Sequence, residues 1–542
     1  MSNKLLKGTM LLTGAAFLSK FLGMIYVIPF NELVGDKGGE LYFYAYNPYT
    51  VLLSVSTVGI PLAVSKIVSR YNSLGYYDIG FKVLRISLSL MFITGVFAFS
   101  ILFFGAEWFA AKYIYDSDHG NTREELVSVL KMISFSLLII PFMSVVRGFF
   151  QGNQIMEPTA LSQVIEQIVR IIFVLTSVYI IIHMFEGSIS LAVSFATFAA
   201  FIGAIASCLV LVWFWMKRKD KLLEQSHHSK KHLNISSFDL IKELLSYAGP
   251  FILVGIAIPL YQQVDSFTFN KSMALGGFSD ITTISNATIN MYGHKLIAIP
   301  VTLATGMSMT LIPALTESFM KRDSLNLEKQ INQSIQIVIL FVIPAVVGLS
   351  VLANVSYGAL FGMNHLDISG RLLMWYSPVA LGFALFTVTA AILQGVNEQR
   401  FSLVSLGAGF LVKLSLNSFL IQLMAGLGSI VATTLATFTA VTLNLWWIKR
   451  SIKFSYKQTA KRGLFIVIFS LIMGLVVLLF KVLLGFFLPY ETSRFAAIVM
   501  LSVGIIVGGI TYLYLIYKST LMEYVLGSLN ILNRFRRKKG AN

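Results

Sequence analysis

Two lysines stand where an apolar chain should not tolerate them. Lys20 sits midway along "LLTGAAFLSKFLGMIYVIPF", and Lys295 follows His294 at the head of "MYGHKLIAIPVTLATGMSMTLIPAL". A cation at the centre of a bilayer costs about 3 kcal/mol on insertion scales, so it must snorkel, pair, or face a wet cavity. Snorkelling is difficult from Lys20, which has apolar sequence on both sides. From Lys295 a route to the outer surface stays open. If both line one cavity they form a two-sided cationic clamp, and lysine suits phosphate as a point charge.

Other charges inside apolar runs have two readings each. Glu166 and Arg170 are spaced i, i+4 with the acid first, the favourable order on a helix. They are read as a self-neutralised pair packed between helices, with Arg170 as an additional donor to a ligand in the alternative. Asp265 in "YQQVDSFTF" is a partner for Lys295 or Lys20, a site for a coupling cation, or a plain interfacial acid. Lys66, Arg70 and Arg147 lie near span ends and read as orientation charges that also rim an inward-facing mouth. More cation than anion in a cavity selects an anionic substrate; a drug or metal-cation exporter needs the reverse.

Several chemistries are excluded. The 542 residues hold one cysteine, Cys208, and neither CxxC nor HExxH spacing, so no disulfide framework or metal centre is expected. No GxxxxGK[ST] loop is present to hold a nucleotide. The net charge of +17 would point to nucleic acid in a soluble domain. Here most Lys and Arg fall in short loops, where they set orientation and meet anionic membrane lipids, so nucleic acid is not an expected partner. No loop is long enough for a separate catalytic domain, which argues against a membrane glycosyltransferase or ligase.

The elements that position these residues are membrane helices. The chain is 56% hydrophobic and 12% charged, with mean hydropathy +0.77. The pattern predicts an all-α polytopic protein of about fourteen transmembrane helices. The predicted spans are 8–30, 41–65, 81–104, 126–149, 158–183, 188–215, 244–268, 287–314, 331–354, 371–394, 400–424, 427–448, 462–487 and 494–518. The first is too long for a signal-peptide core and is read as retained. Basic residues concentrate in alternate connections, most clearly in "IKRSIKFSYKQTAKR", which places both termini in the cytoplasm.

An internal repeat organises the spans. Gln151–Gly152 and Gln394–Gly395 each close a span, and a cation follows nineteen residues on, at Arg170 and Lys413, with both offsets equal to 243. Spans 2 and 8 echo each other around Pro61 and Pro313. The expectation is two six-helix lobes in parallel repeat plus two C-terminal helices. The lobes are 1–216 and 244–448, joined by a basic cytoplasmic linker, 217–243, and followed by 449–542 with spans 13–14 and a basic tail. Parallel-repeat transporters bind substrate near the midplane.

The segment "RGFFQGNQIMEPTALSQVIEQIVR" resembles a signature of the polysaccharide-biosynthesis and spore-protein branch of the multidrug/oligosaccharidyl-lipid/polysaccharide exporter superfamily. The segments "LLKGTMLLTGAAFLSKFLGMIYVIPF" and "YGHKLIAIPVTLATGMSMTLIPAL" look like those of the MurJ lipid II flippases in their Gram-positive form. The resemblance covers the whole chain. It implies a transporter, not an enzyme, in the cell membrane. The transported lipid II is the undecaprenyl-diphosphate-linked peptidoglycan precursor, moved from the inner to the outer leaflet by alternating access. A cationic cavity would take the diphosphate and sugar, and a groove by the last two spans the polyprenyl tail. By position Lys20 and Lys295 match cavity arginines of the family. Tyr26, Arg170, Lys413, Tyr292 and His294 are further candidate substrate contacts. Tyr26 stands where Gram-negative members carry a second arginine. Ala298 stands where many have an acid, a role open to Asp265 or Glu166.

The resemblance implies no cofactor, with energy from the membrane potential or an H+ or Na+ gradient. Cell-wall synthesis enzymes are candidate partners. The alternatives are a flippase for another polyprenyl-linked glycan, an ion-coupled drug exporter of the same superfamily, and a non-transporting scaffold.

Overall fold

The computed structural model describes residues 11, 14–15, 18–19, 21–23, 25–57, 59–114, 121–227, 235–519 and 521. All regular elements among them are helical. The chain divides into two compact units, Met1–Thr283 and Ile284–Asn542. Ten helical stretches among the described residues are long and apolar enough to cross a bilayer. They coincide with ten of the predicted spans, and the protein is a multi-pass membrane protein.

The first unit contains α1 (Val27–Thr57), α2 (Ile60–Leu74), α3 (Tyr77–Phe104), α4 (Ala106–Tyr113), α5 (Arg123–Ser134), α6 (Ser136–Gly152), α7 (Glu157–Tyr179), α8 (Ile189–His227), α9 (Ser237–Gly255) and α10 (Ala257–Leu275). Its core joins Val64, Ile67 and Val68 of α2 with Val83 of α3, Phe149 and Phe150 of α6, and Leu240 and Leu244 of α9.

The predicted span 41–65 is broken at Gly59, between α1 and α2. A Cβ there would stand 2.3 Å from the backbone oxygen of Ala248, so only glycine allows α9 to come so close. The predicted span 244–268 is broken at Ile256. Pro259 lacks an N–H and sits in the first turn of α10, where that donor is not needed. Nine of the 23 residues of the predicted span 8–30, Lys20 among them, lie outside the described residues.

Helices α9 and α10 bond into the first unit. Arg70 pairs with Glu243 at 2.8 Å, Tyr44 donates to Asn270 at 2.7 Å, and Asn47 donates to Ser266 at 2.6 Å. The compact units part after Thr283.

Near the start of the second unit a π-helical segment, Ala287–Gly293, follows the short helix Thr282–Asn286 and runs into α11 (His294–Met320). There follow α12 (Ser324–Val351), α13 (Ala353–Phe361), α14 (Leu366–Tyr376), α15 (Val379–Gly395), α16 (Gln399–Met424), α17 (Gly426–Ile452), α18 (Lys457–Gly485) and α19 (Arg494–Lys518). The hairpin α18–α19 packs on α12 and α13 through Ile466, Met473, Val477, Met500 and Tyr512. The Tyr512 hydroxyl donates to the Leu340 carbonyl at 2.7 Å.

The two units repeat one local design. Helices α6 and α15 begin at Ser136 and Val379 and end at Gly152 and Gly395, each pair 243 apart. The same turn follows both. Ile155 N–H bonds to Phe150 O at 2.9 Å, and Glu398 N–H to Leu393 O at 2.7 Å. Gln154 and Asn397 take φ of 59° and 64°, the left-handed region. A Cβ on Gly152 would lie 2.7 Å from Val68 Cβ, and one on Gly395 would lie 2.6 Å from Leu315 Cβ. Each glycine lets its helix press on the equivalent neighbour, α2 in one unit and α11 in the other.

Candidate substrate-binding site

Helix α7 carries both Glu166 and Arg170, but they turn to different partners. Arg147 of α6 takes the Glu166 carboxylate at 2.7 Å, with the two side chains 15% and 21% exposed. The same guanidinium donates to Ser162 Oγ at 2.9 Å and to Ser207 Oγ of α8 at 2.7 Å. The expected Glu166–Arg170 pair is therefore replaced by an Arg147–Glu166 pair. Arg147, read from sequence as a charge rimming a mouth, is part-buried inside a three-helix junction. The backbone makes this possible: a Cβ on Gly203 would lie 2.8 Å from Glu166 O and 3.2 Å from Arg170 Cβ, so α8 presses on α7 between the two charges.

Arg170 faces α1 instead. Its Nη2 donates to Tyr42 Oη at 3.0 Å and to Tyr46 Oη at 2.7 Å. The Tyr42 hydroxyl lies 3.0 Å from that of Tyr26, so four side chains form one polar string. The rings of Tyr42 and Tyr46 stack at 5.0 Å with 12° between planes, and Tyr49 meets Tyr46 edge-on. Arg170 Nε is buried with no hydrogen-bond partner. No carboxylate pairs with Arg170 among the described residues. The result is a cation held by neutral phenols with its buried Nε–H unspent, which is chemistry for an oxyanion.

The remaining sequence candidates divide. Lys20 lies outside the described residues. Tyr26 is buried and spends its hydroxyl on Tyr42. Asp265 is 3% exposed within α10. Lys66 lies 4.0 Å over the Tyr247 ring, and with the Arg70–Glu243 pair it ties the exposed end of α2 to α9.

In the second unit Lys295 is part-buried, and His294 Nδ1 lies 3.1 Å from the Tyr376 hydroxyl. Two residues expected to touch substrate are turned inward. Tyr292 is fully buried, packed on Tyr357 and Phe361 because the π-helical segment carries it into the core. Lys413 is also fully buried; its ammonium donates to Ser429 O and Oγ at 3.2 Å each and to Thr433 Oγ1 at 2.7 Å. The cation equivalent to Arg170 in the repeat thus fastens α16 to α17.

The second unit also holds an apolar groove of about 340 Å³. Leu296 and Pro300 of α11 and Pro344 and Leu349 of α12 form one side. Met473 and Val477 of α18 and Gly504, Ile505 and Gly508 of α19 form the other. The lining is almost wholly hydrocarbon, suited to an alkyl or isoprenoid chain.

A family model described as polysaccharide biosynthesis protein matches residues 5–320. The lipid II flippase MurJ of Bacillus subtilis (strain 168) is 44% identical over 530 residues, covering 97% of this chain and 97% of that protein. The chain belongs to the MurJ lipid II flippase family. A solved structure of lipid II flippase MurJ in an inward closed conformation covers 95% of this chain and 99% of its own, with TM-score 0.65 and 17% identity. An inward-facing multidrug resistance MATE family transporter of the MOP superfamily covers 80% and 98%, with TM-score 0.62 and 14% identity. These two likenesses are of fold.

For a MurJ-family chain, the site residues that sequence reading missed are Tyr42 and Tyr46. Their signal was present in "LYFYAYNPY", where Tyr42, Tyr46 and Tyr49 recur at i, i+4 and i+7 on one helical face. A stripe of tyrosines reads as packing until an arginine is found opposite it.

Proposed function

We propose that this chain is a lipid II flippase: a transporter that carries the undecaprenyl-diphosphate-linked peptidoglycan precursor from the inner to the outer leaflet by alternating access. The observation that carries the chemistry is the Arg170 centre, a membrane-embedded guanidinium bonded to Tyr42 and Tyr46 with Nε unspent. Such a centre favours a phosphate-bearing substrate over a cationic drug. The apolar groove beside α18 and α19 supports the same reading, since a polyprenyl tail needs a hydrocarbon wall.

Lys20 and Lys295 are proposed to bind the diphosphate as point charges. Lys413 and Tyr292 are left out of that set in this conformation, because their polar atoms face the core. Both termini are proposed to lie in the cytoplasm, from the basic connections. The driving energy is proposed to be the membrane potential or an H+ or Na+ gradient; each charge moved is worth about 2.3 kcal/mol per 100 mV. Cell-wall synthesis enzymes are proposed partners.

The test is complementation in cells that depend on this copy, with outer-leaflet lipid II read by a probe that cannot enter. Arg170→Gln and Lys295→Ala should each lower surface lipid II while the protein remains in the membrane. Wild-type surface lipid II in both variants rejects the reading. Rescue by a gene for a flippase of a different polyprenyl-linked glycan, with this chain moving that glycan, would favour the other substrate.

A further inference from the structure

We propose that Lys481 is a phosphate anchor at one end of the apolar groove, and that the groove holds the polyprenyl diphosphate lipid on its product side, in the outer leaflet. The inference rests on the lipid II reading for its substrate class. It adds a station for the lipid after translocation.

Helix geometry brings Lys481 to the groove. Met473 and Val477 line the groove from α18, and Lys481 follows one turn on. Helical side chains lean toward the N-terminus of their helix, so the part-buried Lys481 stem lies back over the Val477 turn. Its ammonium donates to Val351 O at 3.2 Å. The next residue, Leu352, is itself part of the groove wall. The Tyr490 ring lies 5.7 Å from the ammonium.

The surroundings leave that charge available. An ammonium has three donors, and Val351 O is the one acceptor it meets among the described residues. No carboxylate among them stands within 4 Å of it. Glu491 acts on it from farther off. Helix α12 ends at Val351 and α13 begins at Ala353, so a carbonyl end meets an amide end there and the two dipoles offset.

The position of the cation assigns the leaflet. Lys481 lies one turn before α18 ends at Gly485. In the proposed orientation the α18–α19 turn faces outside, so the ammonium reaches the outer headgroup layer. A lipid with its phosphate on Lys481 runs its tail inward past Val477, Met473 and Gly508. At the opposite end the lining hydroxyl of Tyr512 is committed to Leu340 O.

The test uses the full chain, purified in detergent, with farnesyl diphosphate, farnesol and inorganic diphosphate as probes. Wild type should bind farnesyl diphosphate about tenfold or more tightly than farnesol. Lys481→Met should lose about tenfold of that preference and leave farnesol binding unchanged, while Lys481→Arg should keep it within about threefold. Gly509→Leu, which fills the groove, should weaken both tailed probes. Thermal stabilisation by inorganic diphosphate, which needs no groove and reports the Arg170 centre, should be the same in all three variants.

An unchanged preference in Lys481→Met overturns the inference and leaves Lys481 as a cap on the end of α12. Unweakened binding of farnesyl diphosphate in Gly509→Leu overturns it too. Phosphatidylglycerol that competes as well as the tailed diphosphate, with the same dependence on Lys481, gives the site to membrane phospholipid and overturns the product-side assignment. Surface lipid II in cells reads transport separately. A wild-type chain that moves no lipid II but keeps the Lys481-dependent preference overturns the transport reading and leaves the anchor.

Discussion

Glu166 gives its carboxylate to Arg147 at 2.7 Å, and so leaves Arg170, one turn along the same helix, to the tyrosines of α1. One acid between two arginines decides which cation is structural and which is left for an anion.

Removing the acid should harm the fold more than the chemistry. Glu166→Gln leaves Arg147 part-buried without its counter-charge, a cost of about 2 kcal/mol given the partial exposure of both side chains. A lowered Tm in detergent, with diphosphate stabilisation retained, is the expected result. The double variant Arg147→Met/Glu166→Leu should regain part of that Tm, because it removes both charges together.

Lys413 should behave as a fastener. Its ammonium is buried on Ser429 and Thr433, so Lys413→Met should change thermal stability but leave stabilisation by inorganic diphosphate at the wild-type level. Thr433 Oγ1 already bonds to Ser429 O at 2.8 Å, which limits the polar cost left behind. Loss of anion binding in Lys413→Met would return this lysine to the substrate site.

Glycines at close approaches should resist substitution while others tolerate it. Gly59→Ala places a methyl 2.3 Å from Ala248 O, a backbone atom that cannot rotate away. Gly152→Ala and Gly395→Ala meet Val68 and Leu315 at 2.7 and 2.6 Å and should each cost about 1–3 kcal/mol. Gly407→Ala, with nothing within 4 Å of the new methyl, should be neutral or gain up to about 1 kcal/mol from helix propensity. Tm values of the four variants in one detergent give the ranking.

Filling the apolar groove should separate tail binding from head-group binding. Gly509 lines the groove and has nothing within 4 Å of a Cβ, so Gly509→Leu adds bulk without a backbone clash. Surface lipid II should fall several-fold while diphosphate stabilisation of the purified protein stays unchanged. Normal transport in Gly509→Leu would mean that the tail lies elsewhere.

The sequence alone determined the helical membrane class, ten of the spans and the repeat. Those features depend on local composition and on spacing, and both survive translation from string to structure. The Gln-Gly signal at Gln151 and Gln394 marked equivalent helix ends because each glycine must admit a close neighbour. The partners of buried charges were settled only by tertiary structure. Spacing pairs Glu166 with Arg170, yet helix α6 brings Arg147 to the carboxylate first. Spacing also makes Lys413 the twin of Arg170, yet one ammonium is enclosed by α17 hydroxyls while the guanidinium meets the phenols of α1. Long-range packing assigns each charge to the nearest oxygen in space, and nothing in a single helix records which neighbour will arrive there.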